Sequence, residues 1–392
     1  MNIRNTLMVA ASVATLAGCA ESVDKLADRV FETASGQVRL MDARLPDGAC
    51  PRSLAQDGTP VDSDISWWCS GFYPGTLWYV YEYTNDDSVK ALAVKHTHRL
   101  DSLLAGHTDH DLGFQTMCSY GNAFRITGDK IWLSHIKENA SWLAKRYSPV
   151  IGVIKSWDSE KWEFPVIVDN MMNLELLMAA DSARLRDIAY SHAVTTMKNH
   201  FREDHTCYHL VNYSLADGSV LGRQTVQGCS DDSAWARGQA WALFGYTMMS
   251  REAASAGDPE KSAAFLAQAE KVASMLLSRL PEDGIPYWDF DSPDIPDDFR
   301  DASAGAVMAS AFTELSSLTS DRRLGKACRK MALRQIRALA SDEYLAAVGE
   351  NGNFLLRHSV GNKPGNSEVD VPLTYADYYF LEAILRYLRL PS

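Results

Sequence analysis

"DASAGAVMASAFTELSSLTSDRRLGKACRKMALRQIRALAS", residues 301–341, predicts two consecutive helices of opposite character. The first part, up to Leu315, is almost free of charge and rich in Ala, Ser and Gly, so a helix there should be buried on most sides. The part that begins at Asp321 combines many basic residues with apolar residues at helical spacing, which is typical of a helix with one solvent-facing side. An inner helix is therefore followed by an outer one.

The same contrast recurs along the chain. "KIWLSHIKENASWLAKRYS" (130–148) is amphipathic and highly charged, whereas "ARGQAWALFGYTMM" (236–249) is nearly charge-free. Short turns such as "TNDD", "ITGD" and "LTSD" join the members of a pair. Six outer and six inner helices in alternation predict an all-α (α/α)6 barrel. The twelve predicted helical segments are 22–33, 71–84, 86–104, 111–126, 130–147, 169–182, 184–201, 231–250, 258–280, 301–319, 321–341 and 373–390.

In such a barrel the inner helices all run in the same direction, so their first residues meet at one mouth. A single Asp at a helix start is usually an N-cap. Acids gathered at one mouth together with Trp, Arg and Gln are more than capping requires, so the sequence predicts a functional site there. The long segments between helix pairs should cover it. The acids and the tyrosine at these starts are Asp111, Asp169, Asp231 with Asp232, Asp301, and Tyr375 with Asp377.

The bulk composition limits the ligands. The 392 residues carry a formal net charge of -12, which argues against non-specific binding to nucleic acid or anionic lipid. Ten Trp, 16 Tyr and 13 Phe are many for this length. They either fill the core or provide flat platforms for the apolar faces of sugar rings.

The N-terminus predicts export. "MNIRNTLMVAASVATLAGCAES" (1–22) has one early Arg, a short apolar run and the sequence "LAGC". The run is too short for a membrane span and is typical of a signal peptide. "LAGC" (16–19) resembles a bacterial lipobox, which predicts removal of residues 1–18 and lipidation of Cys19. The alternative is an ordinary secretory peptide cleaved nearby. We expect residues 19–392 to form one periplasmic or membrane-anchored domain.

Neither the cysteines nor the histidines predict a metal site. Cys50 and Cys69 could pair in an oxidising compartment, but the sequence leaves this open. In "HTDHDLGFQT" (107–116), His107, Asp109 and Asp111 alternate as on an extended segment. No second cluster completes a coordination shell. The remaining cysteines, none of which forms a C-x-x-C pair, are residues 118, 207, 229 and 328.

Paired carboxylates at the mouth predict acid–base chemistry instead. Asp111 and Asp169 would split their pKa values, so that one holds a proton near neutral pH while the other is ionised. Arg237 lies in a charge-poor inner helix and needs an anionic partner. This partner is either an internal acid, Asp231 or Asp232, or a carboxylate of the substrate.

Five blocks in order carry a resemblance to a known family. "HDLGFQT", "VDNMMNLELL", "QGCSDDSAWARGQAWALFGY", "PYWDFDSPDIPDDFRDASAGA" and "LTYADYYFLEAILR" resemble the signature blocks of glycoside hydrolase family 88, the unsaturated glucuronyl hydrolases. The resemblance covers about residues 30–390. It implies an (α/α)6 barrel that acts on lyase-generated oligosaccharides ending in a 4,5-unsaturated uronic acid, without a metal or organic cofactor.

The resemblance also implies roles for individual residues. Asp169 matches the general acid/base and Asp111 its essential partner carboxylate. The positions implied to contact substrate are His110, Trp68 as an aromatic wall, His209, Gln227, Arg237, Trp241 as a stacking residue, and Ser359 with Lys363 in a loop that holds a sulfate in some members. Val226 stands where a more polar residue is expected, which concerns the subsites and not the chemistry.

Three other functions compete with this interpretation. Unsaturated rhamnogalacturonyl hydrolases use the same barrel and chemistry, but "HDLGF" and "ARGQAW" favour the glucuronyl group. A non-catalytic glycan-binding lipoprotein would not need both Asp111 and Asp169. An epimerase on the same barrel would need a site centred on histidine.

Overall fold

Twelve helical segments follow one another within the part of the chain that the computed structural model describes, residues 21–106 and 110–391. The signal segment, Cys19, His107 and Asp109 lie outside these residues. The helices are α1 (Val23–Arg44), α2 (Phe72–Thr84), α3 (Asp87–His98), α4 (Leu112–Thr116), α5 (Asn122–Thr127), α6 (Lys130–Leu143), α7 (Leu174–Ala179), α8 (Ala183–Asn199), α9 (Ala236–Ser255), α10 (Pro259–Arg279), α11 (Ala302–Leu318), α12 (Arg322–Leu339) and α13 (Thr374–Leu388).

Two inner segments are irregular. A wide turn, Met117–Gly121, joins α4 to α5, and a 3-10 turn, Val168–Asn173, leads into α7. Each composite counts as one segment, so α4–α5 and the turn with α7 match the predicted segments 111–126 and 169–182. Further 3-10 turns extend α3 (Arg99–Ala105) and α6 (Ala144–Arg146).

Burial separates the two layers as the sequence predicts. In α11 almost every residue is buried. In α12 the buried positions Cys328, Ala332, Ile336 and Leu339 recur every three or four residues, and the basic residues face outward. Outer helices begin in the predicted turns, where Asp side chains accept bonds from main-chain amides of the first turn.

The inner segments form a closed ring. Each of α2, α4–α5, the Val168–Asn173 turn with α7, α9, α11 and α13 contacts the next, and α13 contacts α2. The fold is therefore the (α/α)6 barrel that the alternation predicts. We call the end where inner helices begin the mouth and the end where they finish the base.

The segments that connect helix pairs contain strands that the sequence did not predict. Four small antiparallel sheets form there. One has three strands, β5 (Phe164–Ile167), β6 (Leu210–Tyr213) and β7 (Val220–Gln224). The others pair β1 (Cys50–Leu54) with β2 (Pro60–Ser63), β3 (Tyr147–Ser148) with β4 (Val153–Ile154), and β8 (Ser359–Asn362) with β9 (Ser367–Val371).

Two details differ from what the sequence predicts, and a third answers a question that the sequence leaves open. Helix α1 continues to Arg44, well past the predicted end. Helix α9 begins at Ala236, so Asp231 and Asp232 lie before it and are exposed. Cys50 and Cys69 are buried free thiols. None of the described helices combines the length and apolar character required to cross a bilayer.

Candidate active site

Asp169 lies at the mouth, in the 3-10 turn that follows β5. Strand β6 holds this turn, because the amide of Val168 donates to the carbonyl of His209 at 2.9 Å. The carboxyl of Asp169 is buried, and its Oδ2 has no hydrogen-bond partner among the described residues. Burial raises its pKa to about 7, and the charge of Asp111 contributes in the same direction. Asp169 can therefore carry a transferable proton near neutral pH.

His209 faces Asp169 in a fixed tautomer. Its Nδ1 accepts from the main-chain amides of Val226 at 3.0 Å and Gln227 at 3.3 Å. The ring proton must then be on Nε2, which lies 3.8 Å from Oδ2 of Asp169. Burial lowers the pKa of His209 to about 3, so the ring is neutral. It can donate one hydrogen bond toward Asp169 or toward a bound ligand.

Asp111 stands at the start of the neighbouring inner segment, α4. Its Oδ2 lies 3.3 Å from Nε2 of His110, and its Oδ1 accepts from Nδ2 of Asn173 at 3.4 Å. His110 is buried, whereas Asp111 is partly accessible from the mouth. The two carboxylates that the sequence predicts to work together are therefore brought to adjacent inner segments.

An aromatic wall lies on the other side of the mouth. Trp68 is half-buried, and its ring centroid is 4.9 Å from Tyr375 and 5.4 Å from Phe114. Trp241 is only 1 % exposed and packs against Phe114 at 5.1 Å. Trp241 therefore packs behind the aromatic wall as part of the core, whereas the ring of Trp68 has an accessible surface.

The guanidinium of Arg237 does not stand open for a bidentate bond to a substrate carboxylate. It donates to the carbonyls of Val360 and of Gly361, the latter at 2.6 Å, and its Nη1 lies 3.3 Å from Oδ2 of Asp301. The internal acid is therefore Asp301, and not Asp231 or Asp232 as the sequence suggested. Arg237 is 2 % exposed. It fastens strand β8 to the start of α11, and its charge remains close enough to lower the pKa of Asp169.

The remaining predicted residues lie on strand β8, contact it, or follow it in the chain. Gln227 donates from Nε2 to the carbonyl of Gly361 at 3.1 Å. Ser359 is fully buried, and its hydroxyl has no partner among the described residues. Lys363 binds Asp298, with Nζ 2.6 Å from Oδ1. Although burial opposes it, this bond holds the pKa of Asp298 below its ordinary range.

Two residues that the sequence analysis passed over have direct roles in this geometry. Asn173 bonds to Asp111, and the only signal for it is the final letter of "VDNMMN". Asp298 forms an ion pair with the ammonium group of Lys363. In the sequence it is only one of several acids in "SPDIPDDF". No set of three His, Cys, Asp or Glu side chains within the described ranges could hold a metal ion. His107 and Asp109 fall outside those ranges.

Comparisons with known proteins agree with this geometry. The model of Glycosyl Hydrolase Family 88 matches residues 50–388. An unsaturated glucuronyl hydrolase of Formosa agariphila is 42% identical over 328 residues, which is 81% of this chain and 79% of that protein. An unsaturated chondroitin disaccharide hydrolase of Streptococcus pyogenes is 30% identical over 372 residues, 92% of this chain and 91% of the relative.

Among solved structures, that of an unsaturated glucuronyl hydrolase specific for heparin superposes with a TM-score of 0.88. It is 45% identical and covers 93% of this chain and 97% of its own. The corresponding enzyme of Bacillus sp. superposes with a TM-score of 0.84 at 28% identity, and it covers 93% of this chain and 97% of its own. Family model, sequence relatives and barrel all agree, and the chain belongs to Glycosyl Hydrolase Family 88.

Proposed function

We propose that this hydrolase removes a 4,5-unsaturated uronic acid from the non-reducing end of oligosaccharides released by polysaccharide lyases. The observation that carries the proposal is Asp169 at the mouth of the barrel, a buried carboxyl with a pKa of about 7 whose Oδ2 has no hydrogen-bond partner among the described residues. The names of the relatives support the same substrate class.

The chemistry follows from the enol ether of the substrate, C4=C5–O. Asp169 donates its proton to C4, which leaves a positive, oxocarbenium-like centre at C5. A water molecule adds to C5 and returns one proton to the Asp169 carboxylate. The product is a hemiketal at C5. Its ring opens by cleavage of the bond between C5 and the ring oxygen, which leaves a ketone at C5 and a hemiacetal at C1; the hemiacetal collapses to an aldehyde and releases the remaining oligosaccharide as an alcohol. No step requires displacement at C1, so the carboxylate separations of ordinary glycosidases do not apply.

The neighbouring residues have distinct tasks in this scheme. The Asp111 carboxylate contributes to the raised pKa of Asp169 and disfavours its ionisation. His209 offers an Nε2–H donor at a fixed position, and Trp68 offers a flat surface for the sugar ring. The Arg237 charge, held in place by Asp301, helps to balance the uronate carboxylate, although its own hydrogen bonds go to strand β8.

The test is a spectroscopic assay in deuterated water. Unsaturated disaccharides from chondroitin, heparin-like and hyaluronan polymers should lose the ultraviolet absorbance of their conjugated uronate, and the product should carry one deuterium at C4. A disaccharide from rhamnogalacturonan should react more slowly. Binding without any loss of absorbance would indicate a glycan-binding protein instead of an enzyme. Faster reaction with the rhamnogalacturonan substrate would indicate an unsaturated rhamnogalacturonyl hydrolase.

We further propose export with a lipid anchor on Cys19, on the basis of "LAGC" after a short apolar run. The wild-type protein should then partition with membranes, and Cys19→Ser should move it to the soluble exported fraction. A wild-type protein that is soluble after signal cleavage would contradict the anchor and leave an ordinary secretory peptide.

A further inference from the structure

The N-terminus of helix α4 is capped by a residue from the neighbouring inner segment. Asp111 occupies its N-cap position, yet the Asp111 side chain makes no capping bond. An N-cap Asp ordinarily accepts from the amide of the second or third helical residue, which here would be Gly113 or Phe114. The amide of Phe114 instead donates to Oδ1 of Asn173 at 2.8 Å. Asn173 thus occupies the place that the Asp111 carboxylate would otherwise take.

The side-chain amide of Asn173 also contacts Asp111. Nδ2 of Asn173 donates to Oδ1 of Asp111 at 3.4 Å, so the two ends of one side chain satisfy the helix amide and orient the carboxylate. Asn173 is fully buried and lies one helical turn after Asp169. The contact therefore links the two inner segments that carry the candidate catalytic carboxyls.

Gly113 makes this approach possible. A Cβ atom at position 113 would lie 2.3 Å from Cα of Asn173 and 2.5 Å from its Oδ1, which no packing tolerates without movement of the backbone. The glycine of "HDLGF" and the last asparagine of "VDNMMN" are thus two parts of one contact.

Other acidic N-caps of the barrel behave differently. Asp301, also at the mouth, accepts from the amide of Ser303 in its own helix at 3.0 Å. The caps of three outer helices, Asp86, Asp129 and Asp321, likewise bind amides of their own first turn. A carboxylate used in this way is tied to the helix, whereas the Asp111 carboxylate is released from that role.

We propose that Asn173 is a positioning residue: it caps α4 in place of Asp111 and so holds the Asp111 carboxylate in the mouth beside Asp169. The inference rests on the proposed hydration reaction, in which Asp111 works as the partner of Asp169. When Asn173 is removed, the amide of Phe114 loses its acceptor, and the Asp111 carboxylate turns back to cap its own helix.

A double-mutant cycle tests this through kinetics. Asn173→Ala should lower kcat about 10- to 100-fold and change KM less than about 3-fold, because the substrate-binding wall is untouched while the partner carboxylate is displaced. In an Asp111→Asn background, where the carboxylate is already absent, the same change should alter kcat less than about 2-fold. Equal losses in both backgrounds would mean that Asn173 only supports the fold, and the proposal would be wrong.

Asn122 provides a matched control. It is also a buried asparagine of an inner segment, the α4–α5 segment that follows Asp111, but it bonds to Cys118 and Tyr378, away from the mouth. Asn122→Ala should lower the melting temperature and leave kcat unchanged. If it lowers kcat as much as Asn173→Ala does, the effect belongs to general loosening of the segment and the positioning role is refuted.

A structural measurement does not depend on activity. In a crystal structure of Asn173→Ala, an Asp111 oxygen should lie within about 3.2 Å of the amide of Phe114 or Gly113. If Asn173→Ala does not fold, Gly113→Ala tests the same contact, because the added methyl group pushes Asn173 away and should displace Asp111 in the same way. An Asp111 carboxylate that keeps its place in the variant structure would overturn the proposal. If the wild type turns over no unsaturated disaccharide, the proposed function fails, and this structural arm still decides the capping role.

Discussion

Asp169 at the mouth of the barrel and Glu314 at its base are buried carboxyls whose pKa values are shifted in opposite directions. At the base, burial alone would raise the pKa of Glu314, but Arg386 and Arg251, each bonded to it at 2.6 Å, hold that pKa below its ordinary value. At the mouth, Asp169 is equally shielded, no cation within the described part of the chain is bonded to it, and its pKa rises to about 7. Burial is common to these two carboxyls, so the difference in their pKa arises from the two cations bonded to Glu314. At Glu175, also at the base, burial and the charge of Glu252 outweigh the single bond to Arg251 and raise the pKa.

The base is a network of ion pairs that reaches every inner segment. It joins Glu82 of α2, Arg125 of α5, Glu175 of α7, Arg251 of α9, Glu314 of α11 and Arg386 of α13. Aromatic hydroxyls and Asn122 link the pairs that do not meet directly. A cavity of about 440 Å³ lies within this network. Each of these charges has a partner of opposite sign, which suits a structural role.

Two cations at the mouth are paired with acids other than Asp169. Arg237 binds Asp301 and two carbonyls of β8, and Lys363 binds Asp298. Neutral His209 faces Asp169, with its Nε2 3.8 Å from Oδ2. Asp169, the candidate catalytic carboxyl, thus differs from Glu314 in having no bonded cation among the described residues.

The largest expected effect concerns turnover at the mouth. Asp169→Asn keeps the shape of the side chain but removes its transferable proton, so kcat should fall by roughly two to four orders of magnitude. Asp377 provides the control, because it is also buried with a pKa of about 7 but accepts bonds from the amides of Leu355 and Leu356. Asp377→Asn should change kcat less than about 2-fold. Comparable losses in both variants would remove Asp169 from the acid–base role.

The second prediction is a dependence of rate and stability on pH. Since Asp169 acts first as an acid, kcat should fall as the pH rises through about 7. In the folded protein this carboxyl keeps its proton between about pH 4 and pH 7, where the unfolded chain has lost it. The free energy of unfolding therefore decreases as the pH rises through this window.

The shift from 3.8 to about 7 corresponds to a cost of up to about 4 kcal/mol, fully present above pH 7. Asp169→Asn should be free of this cost, so chemical denaturation should find the variant more stable than the wild type at pH 8 and no more stable at pH 4. The same advantage at both pH values would mean that ionisation of Asp169 is not its source.

At the base, the effect should fall on stability and leave turnover intact. Arg386→Met deprives Glu314 and Glu382 of a cation, so the free energy of unfolding should fall by about 3 kcal/mol. Arg389 also pairs with a glutamate, but its side chain is 55% exposed, and Arg389→Met should cost less than about 1 kcal/mol. Denaturant titrations measure both variants. A kcat for Arg386→Met that falls in parallel with stability would contradict the separation of the two ends.

The smallest effect concerns Lys363. Asp298→Asn removes the acid that holds its ammonium group, so Lys363 becomes available to an anionic substituent on the neighbouring sugar. We expect KM for sulfated unsaturated disaccharides to fall by a few-fold, equivalent to about 1 kcal/mol, and KM for unsulfated ones to stay the same. Equal changes for both kinds of substrate would show that Lys363 does not meet the sulfate.

The sequence predicts the barrel because inner and outer helices differ in composition. Helices α11 and α12 are the clearest pair: the first is nearly charge-free and the second is basic on one side only. The acids at the mouth, including Asp169, follow from the common direction of the inner helices. Asp111 and Asp169 could therefore be proposed as a candidate catalytic pair from the sequence alone.

What the sequence could not predict depends on contacts between distant segments. The sequence offers Asp231 or Asp232, or a carboxylate of the substrate, as the partner of Arg237, but both acids lie before α9 begins. The observed partner, Asp301, caps an adjacent inner helix. Strands β8 and β9 are too short for a period-two pattern, and β8 is held by Arg237, more than 120 positions earlier. Asn173 acquires its role only because α4 packs against the turn that contains it.

The closed ring also determines when the protein can fold during its synthesis. Helix α2 packs against α13, and Tyr79 bonds to Tyr378 and Glu382, about 300 residues later. Until the ribosome has made those last residues, the apolar side of α2 has no neighbour on one flank, and the early helices cannot complete their core. Contacts between such distant positions slow folding and prolong the exposure of apolar surface. Before that point, chaperones would encounter an incomplete ring of inner helices. The mouth would take its shape only after the last helix has been added.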